Sequence, residues 1–166
     1  MAAAVAAYDY ETEFEATDAG ASLTYPMAAG SLKVGGYVCI AGRACRITEI
    51  DTAQPGKHGH AKASIWAYDV FQPQKKREDG APVSQTMEVP FVTTAWYYVM
   101  DVAPRGELSL MGDDGETRQD LDLPADDVKL GEKVRALFAS GKGVYVQVLK
   151  AMGIEQVMSF KEECGK

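Results

Sequence analysis

From Tyr25 onward the chain is cut into short apolar runs separated by turn residues, and this punctuation restricts it to small β domains. Tyr37-Val38-Cys39-Ile40 is followed by Ala41-Gly42, then by a run at 45–50, a loop rich in Gly and Pro, and a longer run at 61–71. Ala61, Ala63, Ile65 and Ala67 share one face by period-two alternation, while Lys62, Ser64, Trp66 and Tyr68 share the other. That pattern predicts a strand with both faces partly covered, as in a small barrel. Residues 95–102, 107–111 and 116–123 read as three more strands, with Gly112-Asp113-Asp114-Gly115 as the turn between the last two. The period then changes. Leu130, Val134, Leu137 and Phe138 fall on one helix face, with Asp126 and Asp127 near its start and Gly141 just past its end. Val144, Val146 and Val148 return to alternation, and 154–160 supplies a last strand. Several strands with one helix before the final pair fit a five-stranded barrel of OB type, and other α+β layouts fit the same pattern. There is no internal repeat or heptad.

A chain of 166 residues that is 46% apolar can bury one medium core or two small ones, and its net charge of -7 speaks for solubility and against general nucleic-acid affinity. The charge is unevenly placed: -5 over residues 1–20, +2 over 21–88 and -4 over 89–166. The expected organisation follows this division, with an acidic flexible tail at 1–20, a first barrel at 21–88 and a second domain at 89–166. The boundary is placed where composition shifts around 87–91 and Pro90 removes a backbone donor. A polyanion would be met by the mildly basic middle. Cys39, Cys45 and Cys164 form no C-x-x-C pair, and an odd count closes no disulfide framework, so a reducing compartment is expected. Residues 1–7 are small and apolar but lack a basic n-region, so neither a secretion signal nor a membrane span is expected there. The expected location is the cytoplasm, with no membrane partner.

The connection at 51–60 is long for a hairpin, whose loops usually run to about five residues, and long loops lean toward function or disorder. It contains Pro55-Gly56-Lys57-His58-Gly59-His60-Ala61-Lys62, in which one lysine sits between two glycines and both histidines of the chain follow it. The two glycines and Pro55 allow a tight turn with Lys57 near its apex. By composition alone this is an exposed hairpin tip. It is not a phosphate-binding P-loop, because position 51 is Asp where glycine is needed and position 58 is His where Ser or Thr is needed. His58 and His60 form an H-x-H pair with no further Cys or carboxylate at ligand spacing, so no metal is expected. No nucleophile elbow accompanies these histidines, and Gly112 to Gly115 holds too few acids for a calcium loop. No catalytic residue is therefore assigned, and no enzyme activity is expected. Cys39 and Cys45 read as inert core thiols, and Trp96, Tyr97 and Tyr98 as core or interface aromatics. A second loop at 73–79 carries Lys75-Lys76-Arg77, a solvated charge run by default. Elimination leaves Lys57.

The string Gly56-Lys57-His58-Gly59-His60-Ala61-Lys62 resembles the modification loop of eukaryotic translation factor 5A, a family similar in architecture to bacterial elongation factor P. The likeness extends over Asp18-Ala19-Gly20-Ala21-Ser22, Tyr25-Pro26-Met27, Gly42-Arg43, Cys45, Ile47, Val89-Pro90 and Leu121-Asp122-Leu123-Pro124. The resemblance implies a mainly β fold of two barrels, an SH3-like domain presenting the loop and an OB fold with one helix. It implies that Lys57 is converted to hypusine by covalent addition of a spermidine-derived aminobutyl group, with no separate cofactor. Deoxyhypusine synthase and deoxyhypusine hydroxylase are the implied modifying partners, and Pro55, Gly56, His58, Gly59, His60, Ala61 and Lys62 their recognition loop. The implied function is binding to the ribosome, peptidyl-tRNA and rRNA, with the modified lysine positioning the acceptor end at slow sites such as consecutive prolines and assisting termination. Lys75, Lys76 and Arg77 form a run more basic than the usual connection, and an added rRNA contact is expected there. Departing from the family pattern, Asp51-Thr52-Ala53-Gln54 precedes the loop where Ser or Thr and a Lys are common. The alternative is a non-ribosomal RNA-binding adaptor built from the same two barrels; self-association is left open.

Overall fold

The computed structural model describes residues 22–54 and 60–163. Eleven strands and one helix follow in chain order. They are β1 (Thr24–Ala28), β2 (Tyr37–Ile40), β3 (Arg43–Ala53), β4 (Lys62–Asp69), β5 (Lys76–Pro82), β6 (Thr86–Pro90), β7 (Val92–Val102), β8 (Glu107–Met111), β9 (Thr117–Asp122), α1 (Val128–Ala139), β10 (Val144–Ala151) and β11 (Ile154–Glu162).

The first domain is a four-stranded antiparallel meander, β2-β3-β4-β5, covered by the pair β1-β6. The alternation read from β4 is obeyed: Ala63, Ile65 and Ala67 are buried on the core side, while Trp66 and Tyr68 are half-covered on the other. Val38, Ile40, Cys45 and Ile47 complete the sheet's contribution, and Met87 and Val89 from β6 close the core from above. Strand β6 crosses the expected boundary at 88/89, because Val89 still packs into this first core and Pro90 still faces Thr24 in the β1-β6 register. The chain leaves the domain immediately afterward, at Phe91. Ala41-Gly42 makes the β2-β3 turn with φ of 53° and 75°, the pair of left-handed residues that a two-residue hairpin connection requires.

The second domain is a five-stranded antiparallel sheet in the order β9-β8-β7-β10-β11, with α1 against its inner face. This is the mainly β, two-barrel architecture with one helix that the sequence predicted. Asp127 caps α1 by accepting the Leu130 amide at 3.1 Å, and Gly141 terminates it at φ 84°. Leu130 and Val134 are buried against Val144, Val146 and Val148, with Leu137 and Phe138 packed at the margin. The two outer strands, β9 and β11, are joined by side chains: Arg118 donates to both carboxylate oxygens of Glu155 at 2.9 and 3.0 Å and to Asp120 at 2.7 Å. The guanidinium is held further in its charged form by Asp120 and Glu155, and both carboxyls are lowered chiefly by it. This bidentate clamp links the two edge strands of the sheet, which are not neighbours in its ladder order.

The domains meet through a third, small core. Val70 and Phe71, from the turn after β4, pack with Ala44 on one side and with Ala151, Leu149 and Met158 of the second domain on the other. Met152, at the β10-β11 turn with φ 53°, reaches back so that its sulfur accepts the Cys39 thiol at 3.6 Å.

Candidate functional site

Strands β3 and β4 pair from Cys45↔Asp69 at one end to Ala53↔Lys62 at the other. The interval between Ala53 and Lys62 is the connection that carries the lysine. Its described shoulders, Asp51, Thr52, Ala53, Gln54, His60 and Lys62, are exposed, and Ala61 is half-buried, its carbonyl accepting the Val83 amide at 3.0 Å. Pro55, Gly56, Lys57, His58 and Gly59 lie outside the described residues. The β3-β4 pairing is regular apart from a bulge near Thr48, whose hydroxyl donates to the Trp66 carbonyl at 3.2 Å.

At the opposite end of β4 is a second polar feature that the sequence reading passed over. Asp69 is the one buried charged residue among those described, its side chain wholly shielded. Its carboxylate accepts from Arg43 Nε at 2.8 Å, from the Phe71 amide at 2.9 Å and from the Gln72 amide at 3.2 Å. Arg77 Nε stands 3.4 Å from the same carboxylate, close enough for charge attraction but without hydrogen-bond alignment. Burial pushes the Asp69 carboxyl up, but the Arg43 guanidinium and the two amides outweigh it, leaving it below the usual range. Position parity was the available signal: Asp69 is in phase with Ala63, Ile65 and Ala67, so an acid at that place had to point inward.

The run Lys75-Lys76-Arg77 is not a single exposed loop. Lys75 closes the turn, its amide donating to the Gln72 carbonyl at 2.8 Å, and β5 begins at Lys76. Lys75 and Lys76 are exposed, whereas Arg77 turns inward to Asp69. Of the three residues expected to contact rRNA, Lys75 and Lys76 are exposed cations and Arg77 is drawn toward the buried carboxylate.

The cysteines also differ from each other. Cys45 is fully buried in the first core, as expected, while Cys39 faces the domain junction. Burial raises both thiols, which keeps them protonated. Tyr97 packs at the second core, whereas Trp96 and Tyr98 stand on the outer face, where the Lys161 ammonium sits 4.4 Å from the Trp96 ring centroid. Among the described residues, no group of three His, Cys, Asp or Glu side chains is arranged to hold a metal ion. No helix among them is long and apolar enough to cross a membrane.

Two family models match, one for each domain. Residues 22–85 match "Translation initiation factor 5A-like, N-terminal", and residues 91–161 match "Eukaryotic elongation factor 5A hypusine, DNA-binding OB fold". The chain belongs to the translation factor 5A family. It is 50% identical over 147 residues to eukaryotic translation initiation factor 5A of Trypanosoma brucei brucei, covering 84% of this chain and 87% of that one. It is 46% identical over 164 residues to the Leishmania donovani factor, covering 95% and 98%. Among solved structures, a translation initiation factor 5A family protein from Naegleria fowleri superposes with a TM-score of 0.79 at 48% identity, over 84% of this chain and 99% of that one. The relatives of this factor 5A chain are translation factors, and its two barrels are those of the family.

Proposed function

We propose that this chain is a cytoplasmic translation factor that binds the ribosome and uses hypusinated Lys57 to position the acceptor end of the peptidyl-tRNA, promoting elongation at polyproline and other slow sites and assisting termination. The observation that carries the reading is the string Gly56-Lys57-His58-Gly59-His60-Ala61-Lys62, joined to the two strands of a regular hairpin in a chain whose domains both match the factor 5A models. An unmodified lysine is a single hydrated charge on a four-carbon stem. An aminobutyl extension roughly doubles its reach and adds a second amine, which suits contact with phosphates inside an RNA-walled cleft. The protein then acts by positioning, and the bond-forming chemistry belongs to the ribosome. Deoxyhypusine synthase and deoxyhypusine hydroxylase supply the modification from spermidine.

Intact mass of the chain purified from its native cells tests the modification. The expected spectrum is one dominant species carrying the hydroxylated aminobutyl group on Lys57; a predominantly unmodified chain defeats the mechanism. Cosedimentation with ribosomes separates a ribosomal factor from the alternative of a free RNA-binding adaptor. In the same assay, replacing Lys75 and Lys76 with Ala tests them as an rRNA contact. Binding is expected to weaken several-fold with a shallower salt dependence, since two phosphate-neutralising charges are lost; unchanged affinity and slope dismiss that contact.

A further inference from the structure

The lysine loop and the domain junction occupy opposite ends of one strand. β4 runs eight residues from Lys62, beside the loop, to Asp69, beside the junction. At ~3.3 Å per residue it spans about 23 Å. A side chain that must be delivered into a distant cleft is aimed by whatever orients this strand relative to the other domain's anchoring surface. The turn at 70–75 follows β4 directly and carries Phe71 to the second domain's face of the junction, so its rigidity bears on the aim.

Asp69 holds that turn from several directions. Its amide donates to the Lys75 carbonyl at 3.1 Å, and its carboxylate accepts the Phe71 and Gln72 amides. Val70 is tied in turn by its amide to the Ala44 carbonyl at 3.0 Å. Phe71, only 5% exposed, is thereby presented to Ala151, Leu149 and Met158 of the second domain. Arg43 fixes the carboxylate itself by a hydrogen-bonded ion pair, and Arg77 adds charge attraction. From the other side, Met152 accepts the strain of a left-handed backbone while its sulfur meets Cys39. Two reciprocal pegs, one from each domain, leave little freedom for one barrel to swing on the other.

We propose that Asp69 is a positioning residue for Lys57, acting by stapling the turn at 70–75 so that Phe71 locks the two domains at the angle that delivers the lysine loop. This rests on the positioning role assigned above to modified Lys57. It locates the geometric control at the end of β4 opposite Lys62.

The test uses the full, modified chain with Phe71→Ala, Phe71→Leu and Asp69→Asn. Phe71→Ala leaves the Asp69 ion pairs in place and empties the peg. Three readouts are taken: small-angle scattering for domain angle, intact mass for Lys57 modification, and polyproline synthesis in a factor-depleted extract. For Phe71→Ala and Asp69→Asn the expected result is a broadened scattering profile, full modification of Lys57, and synthesis reduced about tenfold. Phe71→Leu, which keeps an apolar peg, is expected to stay within about twofold of wild type. Met158→Ala removes the facing wall without altering the first domain, and carries the test should either first-domain variant unfold. The inference is overturned if the loosened variants keep wild-type synthesis, or if emptying the peg leaves the scattering unchanged. A Lys57→Arg control in the same extract separates the two levels: if that chain is fully active, the positioning role of Lys57 falls, and this inference with it.

Discussion

Lys57→Arg is expected to reduce synthesis of a polyproline-containing product to the level of a factor-depleted extract, a loss on the order of tenfold or more. Arginine keeps one positive charge, so a mechanism that needed only a cation at the loop would survive the change. It does not keep the primary amine on which the aminobutyl group is built, and its guanidinium stays protonated at any physiological pH. The substitution therefore removes the added reach and the second amine while preserving charge. A message without slow sites should be far less affected, which makes the ratio of the two products the measurement of choice. A Lys57→Arg chain that sustains the polyproline product as well as wild type refutes the modification model for this protein.

The second large effect is on stability. Asp69→Ala is expected to destabilise the first domain by about 3 kcal/mol, because it leaves Arg43 and Arg77 facing a shielded site without a counter-charge and deprives two amides of their acceptor. The same residue predicts a pH dependence. Its folded carboxyl titrates below the ordinary Asp value of 3.8, so the stabilisation it supplies is complete above that value and is lost as pH falls through the lower, folded one. Chemical denaturation at a series of pH values should show wild type losing stability in that acid range and Asp69→Asn losing less. Parallel curves for the two proteins would mean that the carboxylate is not held by its partners in solution.

Much of the fold was legible because each domain obeys a simple period. The inward set Ala63, Ile65 and Ala67 and the helix face Leu130, Val134, Leu137 and Phe138 were readable from spacing alone, since burial of one face is what that spacing exists to satisfy. The turns at Ala41-Gly42 and Gly112 to Gly115 were readable for a related reason: few residues take left-handed backbone at low cost. The basic run was less transparent. A string of like charges gives no sign that one member, Arg77, has a buried partner eight positions upstream, because the pairing is made across the β4-β5 register and not along the chain. Cys39 was taken for a core thiol because its strand is apolar. Its face is decided by which domain lies over it, and that contact joins residues 113 positions apart.

What the amino-acid sequence determined unaided is local and chemical: the strand and helix periods, the uneven charge, and a lysine between two glycines whose neighbours resemble a single modification loop. These are properties of contiguous residues, and contiguous residues are what a sequence lists in order. The tertiary structure alone decided how the barrels are fastened. The Arg43–Asp69 pair, the Phe71 and Met152 pegs and the Arg118 clamp each join segments far apart in the chain, and desolvation then selects which polar groups must pair. Strand parity points Asp69 inward, but the cations that compensate its charge come from other strands, and the linear order does not show that pairing.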